Sequence, residues 1–226
     1  MNRKVITAAL LTLGFASPFA HAYKAGDVIV RAGAAMVDPQ TSSSRISTDV
    51  TGKIAGTKAT VGDNTQLGLT LSYLVTDHIG IELLASTPFT HRIGVKGVPI
   101  PGIDGRFGEA KHLPPTLSLQ YFPLDASSKF QPYVGAGVNY TAFFNEKLSS
   151  RQHANGFSKL ELSDSWGLAL QAGFDYQISD KLVLNAAVWR IDLNTEATAR
   201  HSALGKVKVD VDVDPWVYMV GIGYKF

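Results

Sequence analysis

The sequence contains no cysteine among its 226 residues, and only 18% of them are charged, against roughly 25% in a typical soluble protein. The absence of cysteine excludes disulfide bonds and thiolate-ligated zinc or iron–sulfur sites. The formal net charge of +2 falls to zero once Arg3 and Lys4 are set aside. Since nucleic-acid binding needs a broad basic surface, no nucleic-acid partner is expected.

Long hydrophobic runs are also missing, apart from one short run near the start of the chain. Two basic residues precede an apolar run over 5–16, and Ala20-His21-Ala22 has the small-x-small form of a signal-peptide cleavage site. The run is shorter than the about 20 residues that a membrane-spanning helix needs. We therefore expect residues 1–22 to be a cleaved signal peptide and residues 23–226 to form one exported domain.

Alternation of large apolar residues with small or polar residues dominates the rest of the chain, which is typical of β-strands. The cleanest case covers 165–177, where one face carries Trp166, Leu168, Leu170, Ala172, Phe174 and Tyr176. Eight strands are predicted in all, over 28–36, 66–75, 79–85, 116–121, 134–144, 165–177, 182–188 and 216–226. The strands over 28–36 and 182–188 alternate less cleanly than the others.

The polar face of these strands carries Gly, Ser, Thr, Gln and Asn, with few of the charges that cover a soluble β-sandwich. Large apolar residues fill the other face, with Tyr and Trp near the strand ends. This pattern is typical of a barrel in lipid, with an apolar outside and aromatic girdles at both interfaces. The predicted fold is all-β, an eight-stranded antiparallel transmembrane barrel. The barrel must be closed, because the backbone groups of an open sheet edge would find no hydrogen-bond partners in lipid.

The connections between predicted strands alternate in length. Short turns at 76–78 and 179–181 and a moderate link at 124–130 contrast with long segments over 38–64, 89–111, 145–163 and 194–206. Short periplasmic turns and long extracellular loops are usual in outer-membrane barrels. The closing Tyr224-Lys225-Phe226 resembles the aromatic C-terminal signal read by bacterial barrel-assembly machinery, so that machinery is an expected partner through Phe226. A secreted lipocalin-like barrel is the alternative.

Six stretches of the chain form distinctive motifs, namely 64–70 (NTQLGLT), 81–85 (IELLA), 112–117 (HLPPTL), 132–141 (PYVGAGVNYT), 164–168 (DSWGL) and 213–216 (VDPW). They resemble the outer membrane protein W (OmpW) family, close to its OprG branch. Together they touch nearly every predicted strand. The long loops match least.

The resemblance implies a monomeric barrel in the outer membrane of a Gram-negative bacterium, in contact with lipid and lipopolysaccharide. It implies passive transport of small, mainly hydrophobic molecules, without a cofactor. Two alternatives stay open, since some members are proposed to pass small amino acids and some serve as bacteriocin receptors. A barrel of this size could also be a membrane anchor whose loops serve adhesion.

Eight strands enclose a lumen that side chains nearly fill, so a wide aqueous pore is excluded. Several positions that alternate with the lipid-facing residues, and are therefore predicted to face the lumen, carry bulky apolar side chains. They are Leu74, Leu84, Phe122, Phe143, Trp189, Ile191, Val217 and Met219. They either plug the lumen or line an apolar throat for a hydrophobic solute. We expect Leu84 and Trp189 to form the constriction, as similar positions do in the family. A weak site suits conduction, because tight binding would trap the solute.

Proline marks two strand ends, at Pro88 and at Pro114-Pro115. Because proline has no amide hydrogen to give to the β-ladder, each site is either a simple strand end or a lateral opening in the wall. We expect lateral release of a hydrophobic solute near Pro88. The valines over 207–213 alternate with charged residues and line an apolar vestibule if the parity of Trp216 continues unbroken.

Catalysis is not expected. No Gly-x-Ser-x-Gly elbow occurs and no histidine pair has metal-ligand spacing. His78 lies in a predicted turn, and His112 could face the lumen near the rim with Glu82 or Glu109 as partners. Arg190 is predicted to face lipid, unless it marks a bulge or meets lipopolysaccharide phosphates.

Overall fold

A computed structural model describes residues 23–226, so the predicted signal peptide lies outside the described residues. In chain order the elements are β1 (Val28–Asp38), β2 (Ser42–Ser43), β3 (Ser47–Thr48), β4 (Gly52–Lys53), β5 (Lys58–Val61), β6 (Asn64–Leu74), β7 (Ile79–Ser86), β8 (Phe89–Lys96), β9 (Gly105–Leu113), β10 (Thr116–Tyr121), β11 (Phe130–Leu148), α1 (Ser150–Ala154), β12 (Phe157–Leu162), β13 (Ser165–Gln177), β14 (Leu182–Ile191), β15 (Asn194–His201), β16 (Gly205–Asp212) and β17 (Trp216–Lys225). No helix over residues 23–226 is long and apolar enough to cross a membrane.

Eight of these strands close into an antiparallel barrel, which confirms the predicted fold. The order around the wall is β10-β7-β6-β1-β17-β14-β13-β11, and β11 returns to β10. The closing ladder runs from Thr116 opposite Asn139 to Tyr121 opposite Val134. The first and last strands pair over ten residue pairs, from Ile29 opposite Lys225 to Asp38 opposite Trp216. No edge of the barrel is therefore left without a partner strand.

The apolar stripe of each barrel strand faces outward, as predicted. Trp166, Leu168 and Leu170 are 72%, 68% and 62% exposed, whereas the alternate residues Ala169 and Gln171 are buried inside the barrel. Outward aromatic residues lie near both ends of the barrel, with Tyr73, Tyr121, Tyr176 and Tyr224 at the periplasmic end and Tyr140, Trp166 and Trp216 at the extracellular end. Lipid chains cover such a surface in the membrane.

The long connections are more ordered than loops, which corrects their description as loops. β5, β8 and β9 continue the barrel sheet outward beside the upper half of β11. A second sheet of β12-β15-β16-β3-β4 stands beside it, with β2 paired to β16. Hairpins such as β8–β9 and β15–β16 form because each carries its own alternation, with polar side chains turned to water instead of lipid. We term this part of the molecule the extracellular extension.

Candidate functional site: an apolar vestibule above a charged lumen

The extracellular extension encloses an apolar cavity of about 100 Å³, which we term the vestibule. Its wall includes Val37, Ile46, Ala59, His91, Ile93, Val95, Ile103, Phe107, Ala110, His112, Phe143, Phe157, Leu160, Leu193, Ala199, Val209, Val211 and Val213. These residues come from both sheets of the extension and from the upper ends of β1 and β11. Because apolar groups offer water few hydrogen bonds, such a cavity favours an apolar occupant.

The valines of β16 lie where continued parity from Trp216 places them. Val209 and Val211 of β16 and Val213, which follows the strand, are buried and line the vestibule, while Asp210 and Asp212 face solvent. The parity therefore continues through Pro215, which also lines the vestibule.

The bulky residues predicted for the lumen all turn inward, but they lie at three heights. Phe143 lines the vestibule. Leu84, Trp189, Ile191, Val217 and Met219 are buried in the upper and middle barrel. Leu74 and Phe122 lie at the periplasmic end, where the Phe122 ring packs 5.3 Å from the rings of Tyr23 and Tyr133, centroid to centroid.

A buried charged cluster fills the lumen below Leu84 and Trp189. The Arg31 guanidinium donates from Nε to Asp175 Oδ1 (2.9 Å) and from Nη1 to Glu82 Oε2 (3.1 Å). Glu82 is one inward position closer to the periplasm than Leu84 on β7. Four buried side chains also donate to the two carboxylates. Ser72 and Gln171 donate to Glu82. Asn185 and the Tyr23 hydroxyl donate to Asp175.

We term Arg31, Glu82 and Asp175 the charged plug. Charges taken out of water are retained only when they are paired and hydrogen-bonded, and here every one is. The plug offers no apolar surface to a hydrophobic solute. Arg31 and Asp175 are not among the site residues predicted from the sequence, although a charge at an inward position of a small barrel is itself a sign of a buried ion pair.

The two proline sites lie at the level where the barrel meets the extension. The β7–β10 ladder ends with Leu84 opposite Thr116, and the β8–β9 ladder begins with Phe89 opposite His112. Pro88 is exposed in the interval between the two ladders. The β7–β10 ladder of the barrel wall therefore gives way to the β8–β9 ladder of the extension at the height of Leu84, in the predicted constriction.

The second proline site is bridged by β11. The Asn139 side chain donates to the carbonyls of Pro114 (3.2 Å) and Pro115 (3.3 Å), and the Tyr140 amide donates to Pro115 (3.0 Å). On the other side of β7, the Thr87 amide donates to Leu67 O (2.9 Å). Hydrogen bonds from β11 therefore hold the backbone at Pro115. Pro88, in contrast, lies just after the last hydrogen bond between β6 and the end of β7.

Two histidines lie in the vestibule wall, close to the barrel rim. The rings of His91 and His112 stack with centroids 4.8 Å apart, between Phe89 and Phe143, whose centroids lie 5.4 and 5.7 Å from that of His112. Burial and, as the smaller cause, repulsion from the charge that His91 would carry lower the pKa of His112 to about 3. Burial also lowers the pKa of His91. Both rings are therefore neutral at physiological pH.

The acid–base partners considered for His112 are occupied elsewhere. Glu82 belongs to the charged plug, and Glu109 accepts a 2.7 Å hydrogen bond from Arg106. His78 lies in the periplasmic turn, as predicted, with Nδ1 2.8 Å from the carbonyl oxygen of Phe122. These residues are not gathered into one catalytic site.

Arg190 lies on the outer surface near the extracellular rim and is partly exposed. Its Nη2 is 3.6 Å from Asp214 Oδ2, and its guanidinium lies 5.6 Å from the centroid of the Trp216 ring. The alternation of β14 continues through Arg190, so no bulge is needed to place it. Its charge is partnered at the level of the aromatic girdle.

Comparisons with known proteins agree with the closed eight-stranded barrel. A family model described as the OmpW family matches residues 24–226. The chain belongs to the OmpW family. Outer membrane protein W of Vibrio cholerae is 47% identical over 219 residues, which cover 97% of this chain and 96% of that protein. Outer membrane protein W of Escherichia coli is 43% identical over 225 residues, covering 99% and 100%.

Among solved structures, the outer membrane protein OprG of Pseudomonas aeruginosa matches with a TM-score of 0.87 and 53% identity, over 90% of this chain and 97% of that one. This identity supports the predicted closeness to the OprG branch. By name, these relatives are outer membrane proteins. Like them, this OmpW-family chain is a protein of the outer membrane of a Gram-negative bacterium.

Proposed function

We propose that this barrel passively takes up small, mainly hydrophobic molecules, which enter the vestibule from outside and leave sideways into the membrane near Pro88. The observation that carries the proposal is the apolar vestibule itself, enclosed outside the membrane and continuous in sequence with the barrel strands. An apolar cavity in water attracts an apolar solute because transfer removes apolar surface from water, at about 25 cal/mol per Å².

The charged plug supports a sideways exit. An apolar molecule that continued down the lumen would have to separate Arg31 from Glu82 or Asp175, or strip them of hydrogen bonds. Breaking a buried ion pair costs about 3–5 kcal/mol, far more than a weak transit site returns. The way down is therefore closed to the solutes that the vestibule accepts.

The wall at Pro88 supplies the exit in this proposal. Pro88 lacks the amide hydrogen that a ladder needs, and it lies in the interval between the β7–β10 and β8–β9 ladders. Leu84 and Trp189 are buried in the lumen at the lower side of this interval. We assign to them the role of a constriction that turns the solute toward the membrane.

We also propose two steps that precede transport, namely export and assembly of the barrel. Residues 1–22 are removed as a signal peptide, and the assembly machinery reads Phe226, whose ring is 70% exposed at the periplasmic end. Both follow from the sequence pattern at the two ends of the chain.

The test is uptake into vesicles whose outer leaflet is lipopolysaccharide, with octane and alanine as the two solutes. Wild type, Leu84→Asp and Trp189→Ala are compared side by side with empty vesicles. We expect wild type to accelerate octane but not alanine, and Leu84→Asp to abolish the acceleration because a carboxylate enters the throat. Faster uptake of alanine would favour the amino-acid channel. Equal rates in all vesicles would favour the anchor with adhesive or receptor loops.

A further inference from the structure

Two ring nitrogens in the vestibule wall have no hydrogen-bond partner among residues 23–226. They are Nε2 of His91 and Nδ1 of His112, in side chains that are 6% and 4% exposed. An unsatisfied polar atom in a buried site is costly, so each such atom in a folded protein needs an explanation. Most of the surrounding wall is apolar, and no group among residues 23–226 hydrogen-bonds to either nitrogen.

The hydrogen bond on the other side of the His91 ring fixes what Nε2 can do. His91 Nδ1 lies 2.5 Å from the carbonyl oxygen of Gly62. A carbonyl oxygen only accepts, so Nδ1 carries the proton. Because burial keeps the ring neutral, Nε2 carries a lone pair and is a hydrogen-bond acceptor.

Two other polar side chains in the same wall, His201 and Thr195, already have hydrogen-bond partners. His201 Nε2 is 3.0 Å from Asn155 O, and its Nδ1 accepts from the amides of Ala203 and Leu204. The Thr195 hydroxyl donates to Ser163 O at 2.7 Å. The vestibule thus combines an apolar wall with a free acceptor in one place, at the rim of the barrel.

We propose that His91, stacked on His112, binds the hydroxyl group of a small alcohol or phenol whose apolar body fills the vestibule. This inference rests on the proposed function and narrows its substrate class to hydrophobic molecules with one neutral O–H donor. The ring pair is neutral, and the Lys208 ammonium in the same wall is already paired with Glu196, so neither balances a carboxylate or an ammonium group. A carbonyl compound without a donor would leave His91 Nε2 unsatisfied.

The experiment compares phenol with toluene, which have similar size and differ in a hydroxyl group against a methyl group. Binding to the full barrel in nanodiscs is measured by ligand-observed NMR, and partitioning into lipid is subtracted with empty nanodiscs. The readout is the ratio of the two affinities in wild type, His91→Phe and His201→Phe. His201→Phe is the matched control, since His201 lines the same cavity with both nitrogens occupied.

We expect His91→Phe to lower the phenol-to-toluene ratio by about threefold to tenfold, the worth of one net hydrogen bond, and His201→Phe to leave the ratio unchanged. An unchanged ratio in His91→Phe would overturn the inference while toluene binding upheld the proposed function. Failure of wild type to bind either compound would overturn both.

A second measurement does not depend on a variant that folds. In the wild-type barrel labelled with ¹⁵N-histidine, phenol should shift the His91 Nε2 resonance in the direction of a hydrogen-bonded acceptor, and toluene should not. Equal responses to the two compounds would contradict a hydroxyl-binding role for His91.

Discussion

Arg31 and Asp175 form a bidentate ion pair inside the barrel, with Arg31 Nε 2.9 Å from Asp175 Oδ1 and Arg31 Nη2 2.5 Å from Asp175 Oδ2. The two residues are 144 positions apart in sequence, on β1 and β13. A planar guanidinium and a carboxylate match in this geometry, which fixes orientation as well as charge. The pair ties together strands that are not neighbours in the barrel wall, and it makes the lower lumen polar.

The first prediction concerns the stability of this plug. Arg31→Met leaves two buried carboxylates without their cation, so we expect the free energy of unfolding to fall by about 3–5 kcal/mol. Urea unfolding in lipid vesicles, followed by tryptophan fluorescence, measures the change. The matched control is Arg106→Met, which breaks the exposed pair with Glu109 and should cost less than about 1 kcal/mol. Equal losses in the two variants would contradict a structural role for the plug.

The second prediction concerns the apolar wall of the vestibule. Val211→Asp puts a carboxylate into the cavity, and we expect octane uptake to fall by about tenfold because the charge draws in water or must be desolvated. Asp212→Asn alters the neighbouring residue, which faces solvent, and should leave uptake unchanged. Vesicle uptake rates decide the matter. A normal rate in Val211→Asp would remove the vestibule from the transport route.

The third prediction concerns the exit. Pro88→Ala restores an amide hydrogen where the wall changes ladders, so we expect hydrophobic uptake to fall at least about twofold, while the barrel still resists heat on a gel. Pro115→Ala is the control, because β11 already bonds to the Pro115 carbonyl. Unchanged uptake in Pro88→Ala would remove the lateral exit.

The fourth prediction concerns pH. Burial depresses the pKa of His112 from 6.5 to about 3, so the unfolded extension binds a proton below pH 6.5 that the folded one rejects. The extension therefore loses stability as the pH falls through this window, by about 3 kcal/mol at pH 4. Hydrogen-exchange protection factors in β8 and β9, which are corrected for the slower intrinsic exchange at low pH, should fall accordingly, and His112→Phe should weaken the dependence. Titration of His112 near pH 6.5 by NMR would contradict its burial as a neutral ring.

The barrel could be predicted from sequence because lipid imposes a simple rule on every crossing strand. Leu168 and Leu170 alternate with small or polar residues, and the structure places them on the outside. The first strand is harder to predict, since the alanines and glycine over 32–35 offer little contrast, and this weak alternation leaves the direction of Arg31 undetermined. Its partners Glu82 and Asp175 come from distant strands, and no local pattern specifies that meeting.

The strands of the extension escaped prediction for a different reason. Phe89, His91, Ile93 and Val95 do alternate with polar residues, but those residues include Arg92 and Lys96, which no lipid-facing strand would carry. The length of these segments and their content of Gly, Ser and charge predict loops, although this alternation is typical of a half-buried strand in water. The unsatisfied nitrogens of the histidine pair depend on three-dimensional contacts, above all the bond to Gly62, and cannot be read from spacing.

Uptake through the vestibule is tested most directly by locating a bound apolar solute on the folded barrel. Intermolecular nuclear Overhauser effects from toluene can be recorded in nanodiscs of deuterated lipid, with methyl-labelled valine, leucine and isoleucine. We predict contacts to the methyl groups of Ile93, Val209 and Val211 in the vestibule. Contacts confined to the outward methyl groups of Leu168 and Leu170 would show a solute that stays in the lipid, and would contradict uptake through the barrel.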